Sequence, residues 1–286
     1  MFRFLVLLFA LGIAPCGAAF SASLDPTITS TIGHEPVVAP LTTAMPAPLS
    51  PSPWLDSIWP QPKTSLRGRT LAAATVADIT LNPHEVILSF DDGPAATLTP
   101  GVLKVLDDFG VKAIFMMVGK MAELHPKAAQ AVALDGQTIG THTYDHKNLS
   151  KLTPDAALAD IQRGQDAVAA ALAPVSAAPS RFFRFPYLAQ TEVLRASLAF
   201  EDTIVLGIQI DSDDYMRATP DVTLTRLLES LDKKGKGIVL FHDIHAKTLI
   251  VLPQFLQALA DRGYAVVQLV AKQPSVFSEP VVTATR

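Results

Sequence analysis

Two aspartates stand side by side at the end of an apolar run. Val86-Ile87-Leu88 leads through Ser89 and Phe90 into Asp91 and Asp92, and Gly93-Pro94 closes the stretch. Adjacent carboxylates at the mouth of a buried strand repel each other and forfeit hydration, so they need a compensating charge. A divalent cation supplies one. Successive side chains at a strand end point to opposite sides, so one aspartate can ligate such an ion while its neighbour faces elsewhere. An N-capping pair in a tight turn is the alternative. A second signal lies in GTHTYDHKN, residues 140–148, where His142 and His146 are four positions apart. If a helix begins there, both imidazoles share one face, a spacing that suits two ligands of one metal. Two histidines and one carboxylate make a three-ligand site with open positions. Water in such a position has its pKa lowered to about 7, and the second aspartate can take its proton.

Three more groupings carry polar residues at the ends of apolar runs. In RFFRFPYLAQ, residues 181–190, Arg184 follows two phenylalanines. A guanidinium at the end of an apolar strand needs a carboxylate partner, and Asp91 is a candidate. Pro186 shapes the next turn and leaves the Tyr187 backbone N–H free to point into a site. In IQIDSDDYM, residues 208–216, Asp211, Asp213 and Asp214 precede Tyr215. One of these carboxylates can orient a histidine or hold Arg184; a solvated acidic loop is the alternative. In GIVLFHDIH, residues 237–245, Leu240 and His242 alternate and so share one face. A histidine there can serve as a general acid, or as a core histidine bonded to backbone. Of the seven histidines, His34, His84 and His125 have no comparable context.

These residues need a frame that gathers strand ends. Short β-type runs occur at 86–90, 113–118, 138–140, 181–185, 204–210, 238–241 and 265–270, with helical patterns between them. Strands apolar on both faces and alternating with helices indicate a parallel sheet covered by helices. Seven such strands suit an α/β barrel of the TIM type, complete or incomplete, and an open doubly wound sheet is the alternative. In either case chemistry belongs at the carboxyl ends of the strands, where the polar groupings fall. Thr99-Pro100, Thr153-Pro154 and Thr219-Pro220 each place a capping hydroxyl before a proline suited to the first helical position. Gly110 and Gly235 are positioned to end the first and third of these helices.

Composition bounds the rest. The chain has 286 residues, 49% of them hydrophobic and 17% charged, which allows a sizeable core. A formal net charge of −4, with no basic cluster beyond Lys233, Lys234 and Lys236, is no footprint for nucleic acid. Arg3 precedes an apolar run at 4–14, and Gly17, Ala18 and Ala19 follow. That reads as a secretory signal peptide over 1–19, with an uncleaved anchor as the alternative. No other run is long enough to span a membrane. The only cysteine, Cys16, falls inside the signal, so the mature chain would have neither disulfide nor thiolate chemistry. Residues 20–81 are rich in proline, serine, threonine and alanine and read as a largely disordered spacer. The expected catalytic domain is then 82–272, followed by a C-terminal tail at 273–286, and the expected location is secreted or periplasmic.

Taken in order, Ser89-Phe90-Asp91-Asp92-Gly93-Pro94, His142 with His146, Arg184-Phe185-Pro186-Tyr187, Asp211 with Asp214-Tyr215, and Leu240-Phe241-His242 resemble the five motifs of the polysaccharide deacetylases. This is the chitooligosaccharide deacetylase (NodB) homology domain of carbohydrate esterase family 4. The resemblance covers residues 82–272. It implies a distorted (β/α)7 barrel that removes acetyl groups from N-acetylated sugars such as chitooligosaccharide, peptidoglycan or an exopolysaccharide. On the matching positions it implies that Asp92, His142 and His146 hold one divalent metal, zinc by default, with cobalt, nickel or manganese as alternatives. Asp91 resembles the general base, held by Arg184. The Tyr187 N–H, in the turn shaped by Pro186, resembles the oxyanion donor. Tyr215 and Leu240 would line a pocket for the acetyl methyl. His242 resembles the general acid, tuned by Asp214 or Asp211, with Asp214 favoured. Ser89, Phe185, Leu188 and Tyr215 stand where the family more often has Thr, Pro, Gly and Trp. None of these four is a metal ligand or a proton-transfer group. Competing functions are an O-acetyl esterase on xylan or a related glycan, and a non-catalytic glycan-binding module. An iron oxygenase using two histidines and a carboxylate would expect an all-β fold, which the helix–strand alternation opposes.

Overall fold

Residue alternation along two central strands determines what faces the site. β2 (Glu85–Asp91) and β8 (Gly237–His242) run parallel, paired from Val86↔Gly237 to Asp91↔His242. Val86, Leu88 and Phe90 of β2, with Val239 and Phe241 of β8, join one apolar cluster, whereas Ile87 and Ile238 join another. Successive strand side chains take opposite faces, so Ser89 and Asp91 share the face of Ile87, and Leu240 and His242 that of Ile238. The computed structural model describes residues 66–272. The expected signal peptide, the C-terminal tail and the spacer as far as residue 65 lie outside the described residues.

The strands between these two extend the sheet around the barrel. β3 (Ile114–Met117), β4 (Thr138–Thr141), β5 (Phe182–Phe183) and β6 (Ile204–Val205) follow β2 in sheet order, every pair parallel. β7 (Ile210–Asp211) pairs with β8. The run at 204–210, expected as one strand, is thus two short strands with different neighbours. Leu206 N–H still bonds to Phe183 O of β5, and Gln209 N–H already bonds to Ile238 O of β8. Between them the chain passes from one neighbour to the other, so the barrel is distorted there and its ring of pairings is not closed.

The helices α1 (Leu98–Asp108), α2 (Gly119–Leu124), α3 (Pro126–Leu134), α4 (Pro154–Leu172), α5 (Glu192–Phe200), α6 (Pro220–Lys234) and α7 (Ala246–Asp261) cover the outer face of this sheet. Phe115, Phe241 and Phe255 are buried in the layer between strands and helices. Truncating any of them to alanine would cost about 3–5 kcal/mol. Two of the three expected caps are present: Thr153 accepts from Ala156 N–H and Thr219 from Val222 N–H. Thr99 does not cap. α1 starts one residue before it with Thr97 at the N-cap, and the buried Thr99 hydroxyl bonds instead to Asp243. Gly235 ends α6 and Gly110 follows α1, both with positive φ.

The lower end of the barrel is closed by strands the sequence did not announce together. One edge of β2 bonds to β8 along its length. The other bonds to β9 (Ala265–Ala271) at Glu85 and Val86 and to β3 farther up. β9 then passes beneath the starts of β4 and β5. There Thr138 Oγ1 donates to Leu269 O at 2.6 Å and the Arg181 guanidinium to Lys272 O at 3.1 Å. β1 (Arg67–Ala73) pairs along β9. Ala73, Val267 and Leu269 join the inner cluster and plug the barrel from below. Residues 66–81, expected to belong to the spacer, therefore contribute a strand and a 3₁₀ turn (Val76–Asp78) to the domain. β1 is half exposed and charged at Arg67 and Arg69, so no continuous apolar run marks it.

Candidate active site

Parallel register places the chemistry at one rim. Asp91 pairs with Met116 on one side and His242 on the other. Met117 pairs with Thr141, and Thr141 with Phe183, so the next residues of those chains, His142 and Arg184, arrive at the same level. His142 N–H donates to Met117 O at 2.8 Å and Arg184 N–H to Thr141 O at 3.1 Å, which continues the ladder past the strand ends. A cavity of about 410 Å³ opens there, lined by Asp91, Asp92, His142, His146, Asp211, Tyr215, Leu240 and His242, together with Phe185, Tyr187 and Leu188.

Asp92, His142 and His146 converge in that cavity, their ligand atoms within 4.8 Å of one another. Asp92 Oδ1 lies 3.5 Å from His142 Nε2 and 3.2 Å from His146 Nε2. It is buried and makes no hydrogen bond. A buried carboxylate oxygen without a donor, facing two imidazole nitrogens, suits a divalent cation. His142 Nδ1 lies 2.7 Å from Arg184 O. A carbonyl only accepts, so Nδ1 carries the proton and the Nε2 lone pair points toward Asp92. Burial pushes the His142 pKa below the usual imidazole value, against the pull of Asp91 and Asp92, and so favours the neutral ligand form.

The two histidines do not share a helix face. Residues 142–148 form a loop, with Thr143 and His146 in the left-handed region at φ 65° and 60°. Thr143 Oγ1 accepts from His146 N–H at 3.1 Å and closes the loop locally. Gly119 and Lys120 N–H, at the start of α2, hold the Thr143 and Tyr144 carbonyls at 2.9 and 2.8 Å. Behind the loop lies Gly164 of α4, where a Cβ would collide with the Thr143 backbone. This glycine in the middle of a helix is a supporting residue that the helical periodicity hid.

Asp91 is 3% exposed and Arg184 wholly buried. The guanidinium Nη1 donates to Asp91 Oδ1 and, at 3.0 Å, to Ser89 Oγ. Its Nε and Nη2 reach Leu206 O and Gly207 O at 3.4 and 3.3 Å, the segment where the barrel changes neighbours. The other Asp91 oxygen, Oδ2, faces His142 Nε2 at 3.7 Å. The Ser89 hydroxyl, in place of threonine, also donates to Val239 O at 3.2 Å.

On the other side of β2, His242 Nδ1 bonds to Asp214 Oδ1 at 2.7 Å. Asp214 Oδ2 accepts from His242 N–H at 2.8 Å and from the Thr248 hydroxyl at 2.6 Å. Burial pulls the His242 pKa down, but the Asp214 hydrogen bond and charge, with Asp91 and Asp92 farther off, overcome it and raise the value to about 9. Asp211 takes a different place. It accepts from Asp213 N–H at 3.0 Å and from the Tyr215 hydroxyl at 3.3 Å, on the cavity wall, and desolvation raises its pKa. Neither Asp211 nor Asp213 bonds to His242 or Arg184.

The remaining expected residues separate. Leu240 lines the cavity while 5% exposed, and the Tyr215 ring stands edge-on to His242 at 5.3 Å. Pro186 does not line it; it is buried at the head of a 3₁₀ turn (Pro186–Leu188), where it sets the direction of Tyr187. In that turn Leu188 and Ala189 N–H bond to Phe185 O and Pro186 O, and the Tyr187 N–H takes no part. Tyr187 and Leu188 both have positive φ, 58° and 54°. Glycine suits such a backbone, which is why a leucine at 188 marks a departure. Phe185 and Leu188 line the cavity although their residue types carried no catalytic signal. Asp243 was also missed. It is 1% exposed, its pKa is pushed up to about 7 by burial, and its Oδ1 has no partner. Its position next to His242 was the only hint.

Residues 78–201 match a family described as polysaccharide deacetylase. A peptidoglycan deacetylase structure from Bdellovibrio bacteriovorus is 35% identical with a TM-score of 0.67, over 74% of this chain and 62% of that one. The Bacillus cereus peptidoglycan-N-acetylglucosamine deacetylase is 32% identical over 152 residues, 51% of this chain and 52% of its own. The chitooligosaccharide deacetylase of Azorhizobium caulinodans is 26% identical over 203 residues, 66% of this chain and 94% of its own. The chain spans 38% to 52% of the length of the curated peptidoglycan relatives it matches. Among the described residues no helix is long and apolar enough to cross a membrane. The matched residues, the parallel α/β fold and the structural likeness together show a domain of the polysaccharide deacetylase type in this chain.

Proposed function

We propose that this chain is a metal-dependent hydrolase that removes N-acetyl groups from N-acetylglucosamine-containing glycans, releasing acetate and leaving a free amine. The observation that carries this reading is the convergence of three units on one cavity: the donor set Asp92, His142 and His146, the Asp91–Arg184 pair, and the His242–Asp214 pair. A divalent ion held by that donor set, zinc by preference with cobalt, nickel or manganese as alternatives, supplies Lewis-acid polarisation of the acetyl carbonyl and lowers the pKa of water.

The chain's own residues do the rest. Asp91, held in place by Arg184, takes the proton of the attacking water. The Tyr187 N–H donates to the oxygen that gains charge as the carbonyl carbon becomes tetrahedral. His242, charged at neutral pH because of Asp214, gives its Nε2 proton to the amide nitrogen as the carbon–nitrogen bond breaks. Without that proton the amine is a poor leaving group. Leu240 and Tyr215 enclose the acetyl methyl. The similarity to proteins named peptidoglycan and chitooligosaccharide deacetylases supports glycans of those two types as substrates. A signal at 1–19 would deliver the enzyme to the periplasm or beyond, where such glycans lie.

The test is acetate release from N-acetylated and O-acetylated glycans, with and without chelator. We expect release from peptidoglycan or chitooligosaccharide that stops with chelator and returns with zinc. Release from O-acetylated xylan alone would replace this reading with an esterase. Binding without any release would replace it with a glycan-binding module.

A further inference from the structure

The step just described leaves one buried acid at the rim unused. Asp243 follows His242, and its Oδ2 is bonded to the Thr99 hydroxyl at 2.5 Å. Thr99 Oγ1 in turn accepts from Ala95 N–H at 2.7 Å, so its single proton is free to go to Asp243. This relay spans the end of β8, the first turn of α1 and the loop from β2 to α1. Asp92 begins that loop, and its φ of 73° puts it in the left-handed region. Gly93 comes next, and a Cβ there would strike both Asp243 carboxylate oxygens. The loop therefore lies directly on Asp243. On its far side Gly93 O accepts from Val118 N–H at 2.9 Å. Burying a carboxylate with one bare oxygen is costly, and an apolar side chain would fill the same space at lower cost. A role for the carboxyl group in placing its neighbours accounts for that cost.

We propose that Asp243 is a positioning residue: with Thr99 it clamps the loop that carries Asp92 to the strand end that carries His242, and so sets the spacing between metal ligand and proton donor. The clamp rests on the reading of Asp92 as a ligand. It is tested on the full chain with Thr99→Val, Thr99→Ser, Asp243→Leu and, as a control, Asp92→Ala. The readouts are zinc affinity by competition with a chromophoric chelator, kcat and KM separately, and the melting temperature of the metal-free protein. We expect Thr99→Val to weaken zinc binding about tenfold, the lower end for groups that orient ligands. Its kcat should fall with little change in KM or in metal-free melting. Thr99→Ser, which keeps the hydroxyl, should restore both. Asp243→Leu should match Thr99→Val, and the double variant should be no worse than either; if Asp243→Leu does not fold, the two Thr99 variants decide alone. Zinc affinity and kcat of Thr99→Val within twofold of the parent, with Asp92→Ala losing zinc, would overturn the clamp and leave the metal site standing. Undiminished zinc binding by Asp92→Ala would overturn both.

Discussion

His142 and His242 flank β2 on opposite sides, both largely buried, and differ chiefly in the partner of Nδ1. For His142 that partner is the neutral Arg184 carbonyl; for His242 it is the Asp214 carboxylate. Burial then dominates the first and keeps its imidazole neutral, with the Nε2 lone pair available. The carboxylate dominates the second and holds it protonated to about pH 9. One side chain type in comparable surroundings is thus left neutral or kept protonated according to a single oxygen on the far side of the ring.

The widest test of this contrast removes each ring. His142→Ala should lower metal affinity by more than the roughly 10–100-fold expected of groups behind the ligands. His242→Ala should keep its metal by elemental analysis and lose turnover. Metal loss from both variants would erase the distinction. Asp91→Asn separates the base from either histidine: metal should stay bound while kcat falls about 10³-fold, within the range for general-base removal. An unchanged kcat would take the base role from Asp91.

Asp214→Asn should make His242 behave more like His142. The His242 pKa should drop from about 9 toward the ordinary 6.5 or so. The alkaline limb of kcat/KM should move down with it, and an NMR titration of the ring reads the same change. In the parent protein the raised pKa also adds stability. That contribution is complete below about pH 6.5 and fades as pH rises through about 9, so the parent should lose stability over this window and Asp214→Asn should lose less. A flat difference between the two proteins would deny the linkage. The smallest effect belongs to Leu188→Gly. It relieves a left-handed leucine but adds chain entropy, so stability in urea should stay within about 1 kcal/mol of the parent, on the stabilising side. Neither histidine should change; a shifted His242 titration would show that the 3₁₀ turn feeds into the acid.

Much of the frame was legible because its signals are local. Apolar strands separated by helical patterns, Thr153 and Thr219 before proline, and Gly235 after α6 each act over a few residues, and the structure has them where the pattern places them. β1 was not legible, since an exposed edge strand with arginines carries no apolar signature. The 204–210 run misled because periodicity reports apolar faces and not which neighbour each half will meet. Thr99 misled in the same way: its Thr-Pro pair satisfies the capping pattern, yet a partner from another strand took the hydroxyl.

The sequence by itself determined which residue types stand at the strand ends, and in what order. Their identities suffice for a resemblance and a candidate chemistry. Only the tertiary structure decided who meets whom. Arg184 reaches Asp91 across 93 residues, Asp243 reaches Thr99 across 144, and Asp214 rather than Asp211 takes His242 across 28. The reason is physical. Local propensity and periodicity act over one or two turns of chain, whereas these contacts join distant segments that parallel register brings to one rim, and a displacement of a single residue along β2 or β8 would turn Asp91 or His242 to the opposite face.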